Sequence, residues 1–154
     1  DYQAYSLELE YDVSYQSDEM VSIVFMGILN YKEAAHPTHV FFTLNLNCAN
    51  GEQVPFANQY CINSTLYAVF AAQAEKEILD LNNGVWPEAL GDFSESICRE
   101  EDFLHGVEIG EEFFYYRTAE GIGISYPVPY SMGDYRIAEI PYEKLCKATT
   151  PMTG

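Results

Sequence analysis

A chain of 154 residues, 48% hydrophobic and 20% charged, is the size of one domain and can bury a single core, which excludes a disordered polymer. Its 24 Asp and Glu against 7 Lys and Arg leave a formal charge of -17, which excludes the clustered cations of a nucleic-acid surface. No run of about 18 apolar residues exists, so no segment reads as a membrane helix and no membrane insertion is expected.

The first element is YSLELEYDVSY. It alternates without a break, with Tyr5, Leu7, Leu9, Tyr11 and Val13 on one face and Ser6, Glu8, Glu10, Asp12 and Ser14 on the other. That pattern predicts a half-buried antiparallel strand. After the turn signal QSDE comes MVSIVFMGILNY, β-branched and apolar on both faces, which predicts a central strand covered on both sides. THVFFTLNLNC alternates again and places Val40, Phe42, Leu44, Leu46 and Cys48 together. Asn50-Gly51 supplies a pair suited to positive φ for a hairpin returning through EQVPF.

From the caps Asn63 or Ser64, the segment to Gly84 carries Leu66, Val69, Phe70, Ile78 and Leu81 near helical spacing and predicts the main helix. VWPEALGDFSESICREEDFLHG predicts a loop and a short helix around Phe93 to Leu104. Strands return in EEFFYYRT, in IGISYP after a turn at Ala119 to Gly121, and in YRIAEIP, with a loop PVPYSMGD between and a terminal turn YEKLC. No internal repeat occurs. The expected fold is α+β: an antiparallel β-sheet meander with the main helix packed on one face and a short second helix.

The chain offers little to catalysis. His36 and His39 bracket a proline that bars His36 from a helix interior, and residues three apart in a strand point to opposite faces, so no metal site is expected there. No Gly-x-Ser-x-Gly elbow and no phosphate-binding glycine loop occurs, and the acidic runs Glu100-Glu101-Asp102 and Glu111-Glu112 read as solvated faces. No catalytic residue, metal or cofactor is expected.

Cys48, Cys61, Cys98 and Cys146 contain no Cys-x-x-Cys pair, which favours disulfides in an oxidising compartment over zinc, with four buried free thiols as the alternative. Of three connectivities, Cys48 with Cys61 closes the shortest loop and leaves Cys98 with Cys146. The 13 Tyr and 9 Phe cluster in FFYYRT and YPVPYSMGDY, which makes Tyr115, Tyr126, Tyr130 and Tyr135 the expected ligand surface, against a tyrosine-rich core as the other reading.

Two blocks, SIVFMGILNYKEAAHPTHVFFTLNLNCANGEQVPF and FFYYRTAEGIGISYPVPYSMGDYRIAEIPYEKL, resemble the start and end of the RsiV-like domain. That domain is the extracytoplasmic C-terminal part of RsiV-type anti-sigma factors and also accompanies peptidoglycan deacetylase domains. Ala34 and Ala35 stand where the family usually has glycines. The resemblance implies an α+β sensing fold and, since RsiV-type ectodomains bind lysozyme, a cationic protein partner.

The reading is therefore one RsiV-like domain over residues 1–154, with a signal, anchor or preceding segment expected to have been removed before Asp1. Its expected role is a non-catalytic extracytoplasmic binding or sensing domain of a bacterial surface or secreted protein, its ligand a lysozyme-like cationic protein or cell-wall glycan. The alternatives are a peptidoglycan-acting enzyme or accessory domain and a structural module without a ligand.

Overall fold

A computed structural model describes residues 5–148. Strands β1 (Tyr5–Gln16), β2 (Met20–Tyr31) and β3 (Thr38–Asn47) form an antiparallel sheet in that order. β2 is central, as its composition predicts, but it is not covered on both sides. Met20, Ser22 and Val24 are buried on the inner face, whereas Met26 and Ile28 farther along are exposed. Gly27 lies opposite Leu9 and Val40, and a Cβ there would sit 1.9 Å from the Glu8 carbonyl, so only glycine allows this backbone approach.

One irregularity redirects a side chain. The register slips between Val13 and Tyr15, so Ser14 is an extra residue and Tyr15 pairs with Ser22 on the inner face rather than continuing the outer row. There the Arg117 guanidinium stacks over its ring, 4.4 Å from the centroid.

The second sheet, order β4-β5-β6, comprises β4 (Phe114–Arg117), β5 (Gly121–Pro127) and β6 (Tyr135–Pro141). Helix α1 (Ser64–Leu81) packs on β6, and Asn63 caps it by accepting from the Leu66 N–H at 3.0 Å. Its buried stripe is Leu66, Phe70, Ala74 and Ile78, an i, i+4 ladder, while Leu81 at the end is exposed. The short helix α2 (Glu100–Ile109) starts later than expected: Phe93–Ile97 form a π-type turn instead. Three acids in the first turn of α2 and Gly110 in left-handed conformation just past its end explain the shift. Phe70 sits at the middle of the core, stacked on Phe103 at 4.2 Å and edge-on to Tyr126 at 5.2 Å.

A polar seam joins the two sheets. β4 is an edge strand, and its outward groups meet side chains from the inner face of the first sheet rather than another strand. The Tyr115 carbonyl accepts from Thr43 Oγ1 at 2.6 Å and Asn45 Nδ2 at 2.8 Å. The Arg117 N–H donates to Ser22 Oγ, which itself donates to Asn45 Oδ1 at 2.6 Å. Ser22 and Asn45 are buried for this reason: they stand in for a missing neighbour strand.

Two local expectations are corrected. At Asn50-Gly51 only Gly51 adopts positive φ, and EQVPF returns through an isolated Leu46–Gln53 bridge before Pro55 starts a 3-10 turn at Phe56–Asn58. The cysteine pairing also differs: Cys61 bonds Cys146, with 5.4 Å between their Cα atoms, while Cys48 and Cys98 are free, the first exposed and the second buried. The chain after β6 returns antiparallel to Gln59–Cys61, with Cys61 N–H on the Cys146 carbonyl and Ala148 N–H on Gln59, and this tertiary return outweighs the shorter loop closure.

Candidate binding surface

The predicted tyrosine surface separates into two halves. Tyr115 and Tyr126, 9% and 0% exposed, belong to the core, and the Tyr115 hydroxyl donates to the Val54 carbonyl. Both alternate onto the covered face of the second sheet, so neither lies on a ligand surface. Burial pushes the phenols of Tyr115 and Tyr126 well above the usual range, and those of Tyr116 and Tyr67 up to about 12. Tyr130 is exposed and Tyr135 partly so, but both serve as anchors. Tyr130 stacks on His36 at 3.4 Å, tying the β5–β6 loop to the β2–β3 connection, and Tyr135 packs against Phe41 at 5.0 Å, joining β6 to β3.

The histidines engage separate partners. His39 contacts Asp134, its backbone N–H donating to Oδ2 at 2.8 Å with the ring 3.3 Å away, whereas His36 faces Tyr130. Among the described residues no group of His, Cys, Asp and Glu has the arrangement of a metal site.

The large exposed apolar surface lies elsewhere, on the outer face of the first sheet. Tyr5, Leu7, Leu9, Tyr11 and Val13 of β1 stand beside Tyr31, Leu29, Phe25 and Ile23 of β2, and these beside Val40, Phe42 and Leu44 of β3. Tyr5 and Tyr11 are 69% and 73% exposed and Leu7 is 53% exposed. Tyr11, Phe25 and Phe42 form an aromatic row across all three strands, Phe25 stacked on Phe42 at 4.7 Å. No element among the described residues packs over this face, which makes it a candidate protein-contact surface.

On the reverse side of β1 stand Ser6, Glu8, Glu10 and Asp12, all exposed, opposite Ile28, Met26 and Val24. The ion pairs between described residues involve Lys76, Arg99 and His39, and none reaches these three acids. The alternation that predicts a half-buried strand is correct in phase. What it misses is that the apolar side of β1 faces solvent, because the second sheet packs on the other side of the neighbouring strands.

Two hollows of about 300 Å³ are each lined by two carboxylates, Glu120 with Glu139 and Glu19 with Glu52, whereas the cavity between the sheets is not. That cavity, of about 340 Å³ between the sheets and α2, is lined by Thr43, Asn45, Phe56, Val107 and Tyr115, with Glu108 its single acidic residue. Burial raises Glu77 above its usual carboxyl range, and its carboxylate accepts from Gln73 and the Glu139 N–H at the α1–β6 contact. That is a packing position rather than a cleft.

No family model and no curated protein matches the chain. Among solved structures it is similar to a member of the DUF3298 family from Bacteroides fragilis, with a TM-score of 0.60 and 19% identity, over 90% of this chain and 52% of that one. It is also similar to a DUF3298 family protein from Pseudomonas aeruginosa, with a TM-score of 0.54 and 19% identity, over 91% of this chain and 60% of that one. The chain thus spans little more than half the length of these structures, and the likeness establishes a shared α+β fold with DUF3298 proteins.

Proposed function

We propose that this chain is a non-catalytic, extracytoplasmic binding domain whose ligand is a cationic protein of the lysozyme type. The observation that carries the reading is the outer face of the first sheet, where Tyr5, Leu7, Leu9 and Tyr11 are exposed, together with the acids Glu8, Glu10 and Asp12 exposed on the reverse side of the same edge strand. Tyrosines supply contact area with little entropy cost, and the acids attract a basic partner. The Cys61–Cys146 disulfide supports an oxidising, extracytoplasmic setting.

The test compares binding of lysozyme and of an unrelated basic protein, cytochrome c, at low salt and at physiological salt, where the Debye length is about 8 Å. Apolar contacts are not screened, so lysozyme is expected to stay bound at the higher salt while cytochrome c dissociates. Loss of both together would reduce the acidity to a solubility device and remove the reading.

A further inference from the structure

The free edge of β1 is open in an unusual way. β1 hydrogen-bonds β2 on one side, and among the described residues no strand lies on the other. Every residue from Tyr5 to Val13 is exposed, so neither helix nor loop covers that edge. In an antiparallel pair, alternate residues direct their N–H and C=O away from the partner, so this stretch presents a row of unpaired backbone groups. Proteins guard such edges with proline, lysine, short strands or bulges. β1 is twelve residues long, contains no proline or lysine, and carries its bulge only after Val13, so the guard of Tyr5 to Val13 is the acidic row Glu8, Glu10 and Asp12, which opposes another acidic strand but not a basic one.

From this edge we infer that β1 accepts an added strand from its partner, an extended segment alternating apolar and basic residues. This rests on the proposed reading for the partner's positive charge, and charge decides the occupant. If a second copy paired antiparallel about Leu9, Glu8 would stand opposite the other copy's Glu10, and a parallel in-register pairing would align Glu8 with Glu8. Like charges facing across strands are destabilising, and two chains of formal charge -17 repel before contact. An apolar–basic strand satisfies both faces at once: its apolar side extends the outer surface of Tyr5, Leu7, Leu9 and Tyr11, and its Lys or Arg side chains meet Glu8, Glu10 and Asp12. The acids therefore reject self-pairing and admit a cationic strand through the same positions.

The experiment uses a seven-residue capped peptide alternating Lys and Val. Its controls are an isomer of equal charge with the Lys and Val residues in two blocks, and a version N-methylated at alternate residues on its pairing edge. Affinity is measured by calorimetry and the contact site by amide hydrogen exchange. The alternating peptide is expected to bind at least about tenfold tighter than either control, a factor that corresponds to 1.4 kcal/mol, and to protect β1 amides. The double variant Glu8→Lys with Glu10→Lys, at exposed positions, is expected to lose the Lys–Val peptide and to bind a Glu–Val peptide instead. Equal binding of all three peptides, or no charge-swap rescue, overturns edge pairing while leaving the cationic-partner reading intact. A wild-type dimer in sedimentation that protects β1 overturns it as well, since the occupant would be a second copy. Peptide binding without lysozyme binding removes the proposed partner and keeps the edge.

Discussion

Ser22→Ala tests the account of how the two sheets are joined. Ser22 Oγ accepts from the Arg117 N–H at 3.1 Å and donates to Asn45 Oδ1 at 2.6 Å, and the residue is fully buried. Alanine removes one atom and leaves two polar groups without this partner, the part-buried Arg117 amide and the buried Asn45 carbonyl oxygen. Each such group costs about 1–3 kcal/mol, so the variant is expected to lose roughly 2–4 kcal/mol after partial relaxation. Thr43→Val is the built-in comparison, because the Tyr115 carbonyl keeps its bond from Asn45 Nδ2. Its loss is expected near 1 kcal/mol, in the range of a single net hydrogen bond. Urea unfolding measures both, with the slope required to stay unchanged so that the difference is one of stability. Because Ser22 and Asn45 share a bond, Asn45→Ala in the Ser22→Ala background is expected to cost less than in wild type, by about 0.5–3 kcal/mol. A loss below about 0.5 kcal/mol for Ser22→Ala would refute the reasoning, since a seam made of obligatory bonds cannot be that tolerant.

Five further outcomes follow from particular groups. In denaturant without reductant, thiol titration should find two free thiols, those of Cys48 and Cys98; four would eliminate the Cys61–Cys146 bond. Opening that bond by Cys61→Ala with Cys146→Ala should destabilise by up to about 4.6 kcal/mol, the loop-closure value for a separation of 85 residues, read as a fall in Tm. In the native state a thiol reagent should modify exposed Cys48 and spare Cys98, whose thiol is buried and pushed up to about 12; equal rates would contradict the burial. Burial raises the folded pKa of Glu77 above its ordinary 4.5, so the stability it contributes is present below that value and lost as pH rises through the folded one. Glu77→Gln should accordingly lose less stability than wild type between acidic and neutral pH in paired urea titrations, and parallel profiles would contradict the assignment. The raised phenols of Tyr67, Tyr115, Tyr116 and Tyr126 work the same way: their stabilisation is complete below about pH 10 and fades above it, so phenolate absorbance and unfolding should rise together at alkaline pH.

Local patterns in the sequence carried the strands and the main helix because each is a property of neighbouring residues. Period-two alternation from Tyr5 to Val13 and the spacing of Leu66, Phe70 and Ile78 record which side chains share a face. Which face meets another layer is a tertiary fact. Leu7 and Tyr11 have the pattern of a core row and lie in solvent, while Tyr126, in a loop-rich aromatic tract, is the most enclosed tyrosine. Ser22 and Asn45 read as breaks in an apolar pattern, and such breaks are a usable signal: two small polar residues on inner positions of adjacent strands point to a polar seam. The disulfide was illegible because a bond across 85 residues depends on where the chain returns after β6. The free edge of β1 was illegible for a like reason, since only the sheet order reveals which strand is outermost.

The outer face of the first sheet is tested most directly by measuring lysozyme affinity near 0.15 M salt for Leu7→Ser with Tyr11→Ser, beside Tyr130→Ser as a control on an exposed tyrosine away from this face. All three positions are exposed, so circular dichroism should find the fold intact. If the outer face is the contact, removing two central apolar anchors should weaken binding by at least about 30-fold, the scale of a hot-spot loss of 2 kcal/mol, while Tyr130→Ser stays within about twofold of wild type. Unchanged affinity in the double variant, or a large loss in Tyr130→Ser alone, would contradict the assignment of this face.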